Sequence, residues 1–255
     1  MKNKMNVSSV TCHVSSVGQM DCVILCGGLG TRLRSEIGES QKVLAPVEDR
    51  PFLDLIINYL KDQNIKRIIL ASGYKSDLVL KYIREKEKNV QIEFEISDEP
   101  EPLGTGGAVA CAKIFIKSDP FIVVNGDSFC EIDYSKLLKN HLDKKAFASI
   151  VVAKIKNGKD YGRIDVNGRE EVVGFFEKND TAKGEYVNVG IYCFSRKVLS
   201  PSYLGGRSKS SIENDLFTWL PNKEKVCAFI TDQPFYDIGT PERYEKAKEI
   251  LGKKK

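Results

Sequence analysis

Between residues 25 and 34 the chain reads Leu25-Cys26-Gly27-Gly28-Leu29-Gly30-Thr31-Arg32-Leu33-Arg34. Three glycines let a backbone turn sharply and approach a ligand closely, with N–H groups turned towards an anion. Arg32 and Arg34 add permanent positive charge suited to phosphate oxygens. Two familiar phosphate loops do not fit: a dinucleotide fingerprint begun at Gly28 needs glycine where Leu33 stands, and no Gly-Lys-Ser/Thr closes a P-loop. A tight turn with exposed arginines is the plain alternative.

Other stretches carry comparable chemistry. Lys42, in Gln41-Lys42-Val43-Leu44-Ala45-Pro46, either snorkels at a strand edge or returns over the glycine loop to neutralise a phosphate. Glu101-Pro102-Leu103-Gly104-Thr105-Gly106-Gly107-Ala108 is a second glycine-rich connection. It would floor a flat ring, or simply let a helix pack closely on a sheet. Asn125-Gly126-Asp127 ends an apolar run. A carboxylate at the carboxyl end of a parallel strand faces the crevice where open α/β sheets bind ligands, and its hard oxygens suit Mg²⁺ together with substrate phosphates. A second acid, Asp237 in Asp237-Ile238-Gly239-Thr240-Pro241, precedes the last helix. Either aspartate is otherwise a turn residue. Glu177 and Lys178 end a strand on opposite faces, unless they are an exposed pair of little consequence. Asn188 and Gly190 interrupt an apolar strand, where an interior glycine often marks close approach by a ligand or another backbone.

These residues need a scaffold, and the hydrophobic pattern supplies one. Apolar runs at residues 22–26, 67–71, 90–96 and 121–124 read as buried strands. Between them lie a helix opened by Pro51, a helix over 76–85 capped by Ser76 or Asp77, and a small-residue helix emerging from the glycine-rich loop at 103–115. That rhythm predicts a mainly parallel sheet covered by helices. The second half is β-rich, with strands expected at 147–155, 161–166, 171–176, 186–194 and 226–231. Residues 211–220 and Pro241–Leu251 read as helical. One α/β domain over residues 20–255 with a β-rich elaboration is the economical reading. Residues 1–19 read as a flexible extension without a compact apolar core, and Met20 as a candidate natural start.

Composition narrows the function further. The 255 residues are 42% hydrophobic and 29% charged, which supports a substantial core. A net charge of +4 with interspersed signs lacks the concentrated basic face that nucleic acid needs. No apolar run approaches a membrane span. Seven scattered cysteines without zinc spacing fit a reducing cytoplasm.

Each motif is modest alone, but their order is specific. Gly-Gly-Leu-Gly-Thr-Arg-Leu, Lys42 before Ala45-Pro46, Glu-Pro-Leu-Gly-Thr-Gly-Gly-Ala, Asn-Gly-Asp, Glu-Lys, Asn-Val-Gly and Asp-Ile-Gly-Thr-Pro follow one another. Over residues 21–250 the chain resembles the sugar-1-phosphate nucleotidyltransferases. Within them its wording is most similar to D-glycero-D-manno-heptose 1-phosphate guanylyltransferases. Gln41 departs from the proline that many members carry before the lysine.

The resemblance implies a Rossmann-like, three-layer (GT-A-like) fold and transfer of a nucleotidyl group, with release of pyrophosphate, from a triphosphate such as GTP to a sugar 1-phosphate such as the heptose. Guanylyl transfer to mannose 1-phosphate, thymidylyl, uridylyl or cytidylyl transfer to glucose 1-phosphate, and a non-catalytic nucleotide-sugar-binding regulatory subunit, are the alternatives. It further implies that Gly27, Gly28, Gly30, Thr31 and Arg32 hold the nucleotide phosphates, and that Leu25 and Gly126 also bind the nucleotide. Gly104, Thr105, Gly106 and Gly107 line the base, and Lys42 contacts the α-phosphate. Asp127 and Asp237 share the Mg²⁺. Gly162, Glu177, Lys178 and Asn188 bind the sugar phosphate, with Tyr161 and Arg163 bordering that pocket. Arg32, Lys42, Asp127, Lys178 and Asp237 form the catalytic set. The attacking phosphate is already anionic, so no general base is needed. The length favours a single activity, and a homo-oligomer is compatible with the reading.

Overall fold

The computed structural model describes residues 12–13, 16–28, 30–154, 161–176, 184–206 and 209–253. Its first half alternates strand and helix: β1 (Asp21–Leu25), α1 (Phe52–Asp62), β2 (Arg67–Ser72), α2 (Ser76–Lys86), β3 (Glu93–Asp98), α3 (Gly104–Cys111) and β4 (Phe121–Asn125). The four strands pair in parallel in the order β3-β2-β1-β4. Parallel neighbours need long crossovers, and the helices provide them. Successive strand residues serve opposite layers. Cys22 and Ile24 pack into one cluster with Phe52, Leu53 and Ile57 of α1, whereas Val23 enters another with Val109 of α3. Burial on both faces is why these strands read as continuous apolar runs.

The chain continues through β5 (Ser128–Cys130), α4 (Tyr134–Asp143), β6 (Ala148–Lys154), β7 (Arg163–Val166), β8 (Val172–Phe176), β9 (Tyr186–Phe194), β10 (Val226–Thr231), β11 (Phe235–Asp237) and α5 (Pro241–Leu251). Strand β9 runs antiparallel beside β4, from Ile191↔Val124 to Phe194↔Phe121, and so extends the sheet into a mixed one. Its other edge carries β6, which pairs in parallel with β10. The β7–β8 hairpin joins β9 through Arg163↔Val187. The result is the mainly parallel, helix-covered sheet with a β-rich elaboration.

Local details differ from the sequence expectations. Pro51 is extended and precedes α1 rather than opening it. Lys75, in the left-handed region at φ 54°, stands before α2 with no side-chain cap, so neither Ser76 nor Asp77 caps that helix. Gly104–Gly107 are the first turn of α3, not a loop before it. The helix expected over 211–220 narrows to a π-helical turn at Ile212–Phe217. Within the expected extension, Cys12–His13 pair with Ser118–Asp119 and Val17 is buried in the core. Among the described residues no helix is long and apolar enough to cross a membrane.

Candidate functional site

The parallel strands end on one side of the sheet, and the connections that leave them build two adjoining cavities. The first, of about 420 Å³, is lined by Leu25, Gly27, Gly28, Gly30, Thr31 and Arg32 after β1, and by Gly104 and Thr105 of α3. The second, of about 480 Å³, is lined by Tyr161, Gly162, Asn188, Glu213, Asp237 and Arg243 among others. Among the described residues, five face both: Arg32, Lys42, Asn125, Asp127 and Gly239. They form a seam between a glycine-rich chamber and a β-rich one.

Local geometry explains two of the glycines. Gly30 has φ +58°, and a Cβ there would stand 3.1 Å from Cβ of Lys42. A bare backbone at this left-handed position lets the lysine turn lie against the loop. A Cβ on Gly27 would stand 2.6 Å from Oε1 of Glu99. Its missing side chain thus makes space for an acid arriving from the end of β3.

Lys42 enters the seam from a short turn, Lys42–Leu44, that Gln41 holds in place. Fully buried, Gln41 accepts a hydrogen bond from the Val43 N–H at 2.9 Å and donates to the carbonyl of Cys26. This amide anchors the turn on both sides. The Lys42 ammonium then lies 2.5 Å from Oδ2 of Asp127. Burial pushes the Asp127 carboxyl up, but the Lys42 charge and hydrogen bond, with the Ser128 hydroxyl, outweigh it and hold the group below its ordinary value.

Asp237 reaches the same place from far along the chain. Strand β11 pairs with β5, Asp237 opposite Ser128, and the Ile238 N–H donates to the carbonyl of Asp127 at 3.0 Å. The two acids therefore sit at neighbouring positions of paired strands and both line the second cavity. Oδ2 of Asp237 accepts from the Tyr161 hydroxyl at 2.6 Å, and Oδ1 from the Gly239 N–H at 2.9 Å. Arg243 spans both oxygens at 3.2 and 3.3 Å while lying 4.3 Å over the Tyr161 ring.

This donor set suits a divalent cation of the magnesium type, which takes one or two carboxylates and completes its shell with phosphate oxygens and water. Oδ1 of Asn125 is also buried at the seam with no hydrogen-bond partner. Among the described residues no group of three or more His, Cys, Asp or Glu side chains assembles, so a metal here would depend on substrate oxygens.

Other expected site residues fall elsewhere. The N–H groups of Gly106 and Gly107 are both taken by the carbonyl of Ser210, at 2.8 and 3.1 Å, and Gly106 lines neither cavity. A Cβ on Gly106 would meet the Ser210 side chain at 2.6 Å, so this glycine serves helix packing. Gly126 likewise lines neither cavity. A Cβ there would strike the carbonyl of Leu25 at 2.6 Å. Arg163 pairs within the sheet and does not line the second cavity. Glu177 and Lys178 lie outside the described residues.

Sequence reading passed over Glu99, which the structure puts in the first cavity. It is 7% exposed. Oε2 accepts from the Leu103 N–H at 3.2 Å, while Oε1 is buried without a partner. Burial, reinforced by the nearby Asp98 charge, pushes its carboxyl above the ordinary value, against the lowering effect of the Leu103 bond. The rule that led to Asp127, an acid at the carboxyl end of a parallel strand, also applies to Glu99 after β3. Arg243 and Glu213 gave no comparable signal.

The Nucleotidyl transferase family model matches residues 21–254. The chain is 38% identical over 226 residues to D-glycero-alpha-D-manno-heptose 1-phosphate guanylyltransferase of Campylobacter jejuni, covering 88% of this chain and 97% of that one. It is 34% identical over 232 residues to the protein of that name from Aneurinibacillus thermoaerophilus, covering 91% and 98%. The crystal structure of HddC from Yersinia pseudotuberculosis complexed with GMP-PN superimposes with a TM-score of 0.78 at 37% identity, covering 91% of this chain and 99% of that one.

Proposed function

The chain belongs to the nucleotidyl transferase family, and we propose that it transfers a guanylyl group from GTP to D-glycero-α-D-manno-heptose 1-phosphate. The observation that carries the reading is the seam. A glycine-rich chamber and a β-rich chamber share Arg32, Lys42 and Asp127, so two phosphorylated substrates would meet where charge is concentrated.

The nucleotide enters the first cavity, its phosphates against Gly27, Gly28, Gly30 and Thr31. Glu99 supports guanine: a carboxylate with an unused, buried oxygen matches the adjacent N1–H and N2–H₂ donors of that base. Uracil and thymine offer a lone N–H between two carbonyls, whose lone pairs would be set against the carboxylate. The sugar phosphate occupies the second cavity beside Gly162 and Asn188, and Glu177 and Lys178 remain the expected contacts for its hydroxyls and phosphate.

An oxygen of the sugar phosphate attacks the α-phosphorus. The bond from that phosphorus to the bridging oxygen of pyrophosphate breaks, giving the nucleoside diphosphate sugar. Phosphate is anionic near neutral pH and needs no base. What the protein supplies is in-line positioning and neutralisation of the gathered negative charge by Lys42 and Arg32. Asp127 and Asp237 would hold Mg²⁺, which when bound supplies further positive charge to the triphosphate.

Pairing four triphosphates with heptose, mannose and glucose 1-phosphates in the presence of Mg²⁺, and reading pyrophosphate, tests the proposal. The highest kcat/KM is expected for GTP with the heptose. Preference for another pair would replace the specificity, and turnover of no pair would overturn the reading.

A further inference from the structure

Glu213, which no motif singled out, ends a chain of hydrogen bonds that crosses from one cavity to the other. It rides on the π-helical turn Ile212–Phe217, whose N-terminus is capped by the Ser211 hydroxyl. Its Oε1 accepts from the Tyr192 hydroxyl at 3.0 Å, and its Oε2 from Thr105 Oγ1 and Ser211 Oγ, each at 2.8 Å. Tyr192 in turn accepts from Nδ2 of Asn188 at 2.7 Å, and Oδ1 of Asn188 accepts from the Gly190 N–H at 2.8 Å.

The direction of every bond in this chain is fixed. A carboxylate can only accept, and a tyrosine hydroxyl has one proton to give. Tyr192 must spend that proton on Glu213, which leaves only lone pairs for Asn188. The amide nitrogen therefore faces Tyr192, its carbonyl faces the Gly190 N–H, and one amide N–H is left over. Asn188 lines the acceptor cavity, so that remaining donor is available to an oxygen of the bound sugar phosphate. Tyr192 is fully buried, and burial together with the Glu213 charge drives its hydroxyl well above the ordinary range, so the proton stays in place.

We propose that Glu213 is a positioning residue for the acceptor: through Tyr192 it fixes the Asn188 amide so that a donor N–H faces the sugar phosphate. The proposal rests on the transferase reading above. It assigns the acceptor cavity a preference for an oxygen acceptor at this point, a sugar hydroxyl or a phosphate oxygen. A glutamine at 213 could donate as well as accept and would release the direction of the chain. The second oxygen of Glu213, bonded to Thr105, meanwhile anchors the first turn of α3 beside the nucleotide.

The test is steady-state kinetics of the full chain with Mg²⁺, GTP and the heptose 1-phosphate, varying each substrate in wild type, Glu213→Gln, Tyr192→Phe, Asn188→Ala and the Glu213→Gln/Asn188→Ala double variant. Glu213→Gln and Tyr192→Phe are expected to raise the acceptor KM about tenfold, the scale of one directed hydrogen bond. In Tyr192→Phe the KM for GTP should stay within about twofold, since Tyr192 and Asn188 do not line its cavity. The double variant should be no worse than Asn188→Ala alone, because both changes remove one contact. GTP titration of each variant identifies any that merely fails to fold, and Tyr192→Phe removes only a hydroxyl. An unchanged acceptor KM or an equal loss for both substrates in Tyr192→Phe, or additive effects on the acceptor KM in the double variant, would overturn the proposal. Turnover of no substrate pair by the wild type would remove the transferase reading, and this proposal with it.

Discussion

The ammonium of Lys42 and the carboxylate of Asp127, 85 residues apart in the chain, meet at 2.5 Å where the two cavities adjoin. The contact joins a cation set against the glycine loop to an acid at the end of the central strand. The pair keeps both charges ready in a partly enclosed place, where either one alone would be costly to desolvate.

Removing either member should cost most of the activity. Asp127→Asn and Lys42→Met are each expected to lower kcat by about 10²–10³, the scale of losing one electrostatic contact to a reacting group. The Asp127 carboxyl lies below its ordinary value, so the wild-type rate should fall only when the pH drops beneath the usual aspartate range. In Lys42→Met the raising effect of burial acts without that opposition, and the acid limb should move to higher pH. The pH dependence of kcat/KM for the residual activity checks this.

Glu99 should behave in the opposite sense. Its carboxyl is raised in the folded protein, so its contribution to stability is complete below the ordinary glutamate value and is lost as pH rises through the folded value. Melting temperatures of the ligand-free protein should show that loss in wild type, and Glu99→Gln should remove it. Pairing guanine to the carboxylate requires the ionised form. GTP affinity should therefore increase with pH over the same window in wild type and change little in Glu99→Gln.

Gly27→Ala probes the same acid from the other side. The new methyl would collide with Oε1 of Glu99 at 2.6 Å, so Glu99 must move. The KM for GTP should rise by about tenfold, equivalent to ~1.4 kcal/mol, while the KM for the sugar phosphate changes little. Steady-state kinetics with each substrate varied in turn separates the two.

Gln41→Leu should weaken both the fold and the site. The Cys26 carbonyl and the Val43 N–H lose a buried partner, and unsatisfied groups of this kind cost about 1–3 kcal/mol each. Denaturant melts should show the loss of stability. Because the Lys42 turn loses its anchor, kcat should also fall in variant protein that remains folded.

The parallel half of the fold was legible because its strands are buried on both faces and its helices carry spaced apolar stripes. Cys22 to Cys26 and Phe121 to Val124 could hardly read otherwise. The glycine motifs were visible, but their purposes were not. Gly27 is bare because of Glu99, and Gly106 because of Ser210, and both neighbours arrive from other parts of the chain. Asp237 could be suspected from its motif alone, whereas its meeting with Asp127 depends on the β5–β11 pairing, which no local pattern encodes. Glu213 was silent for the same reason: its partners, Thr105 and Tyr192, lie 108 and 21 residues away.

Among the described residues, five border both chambers. Outside that strip the two linings are separate sets of residues, joined by the hydrogen bond from Thr105 to Glu213. Under the proposed function, the sugar preference and the base preference would then change separately, with the reacting centre unaltered. Diversification would then proceed by swapping halves of the appetite, with the narrow shared border as the part that selection cannot afford to alter.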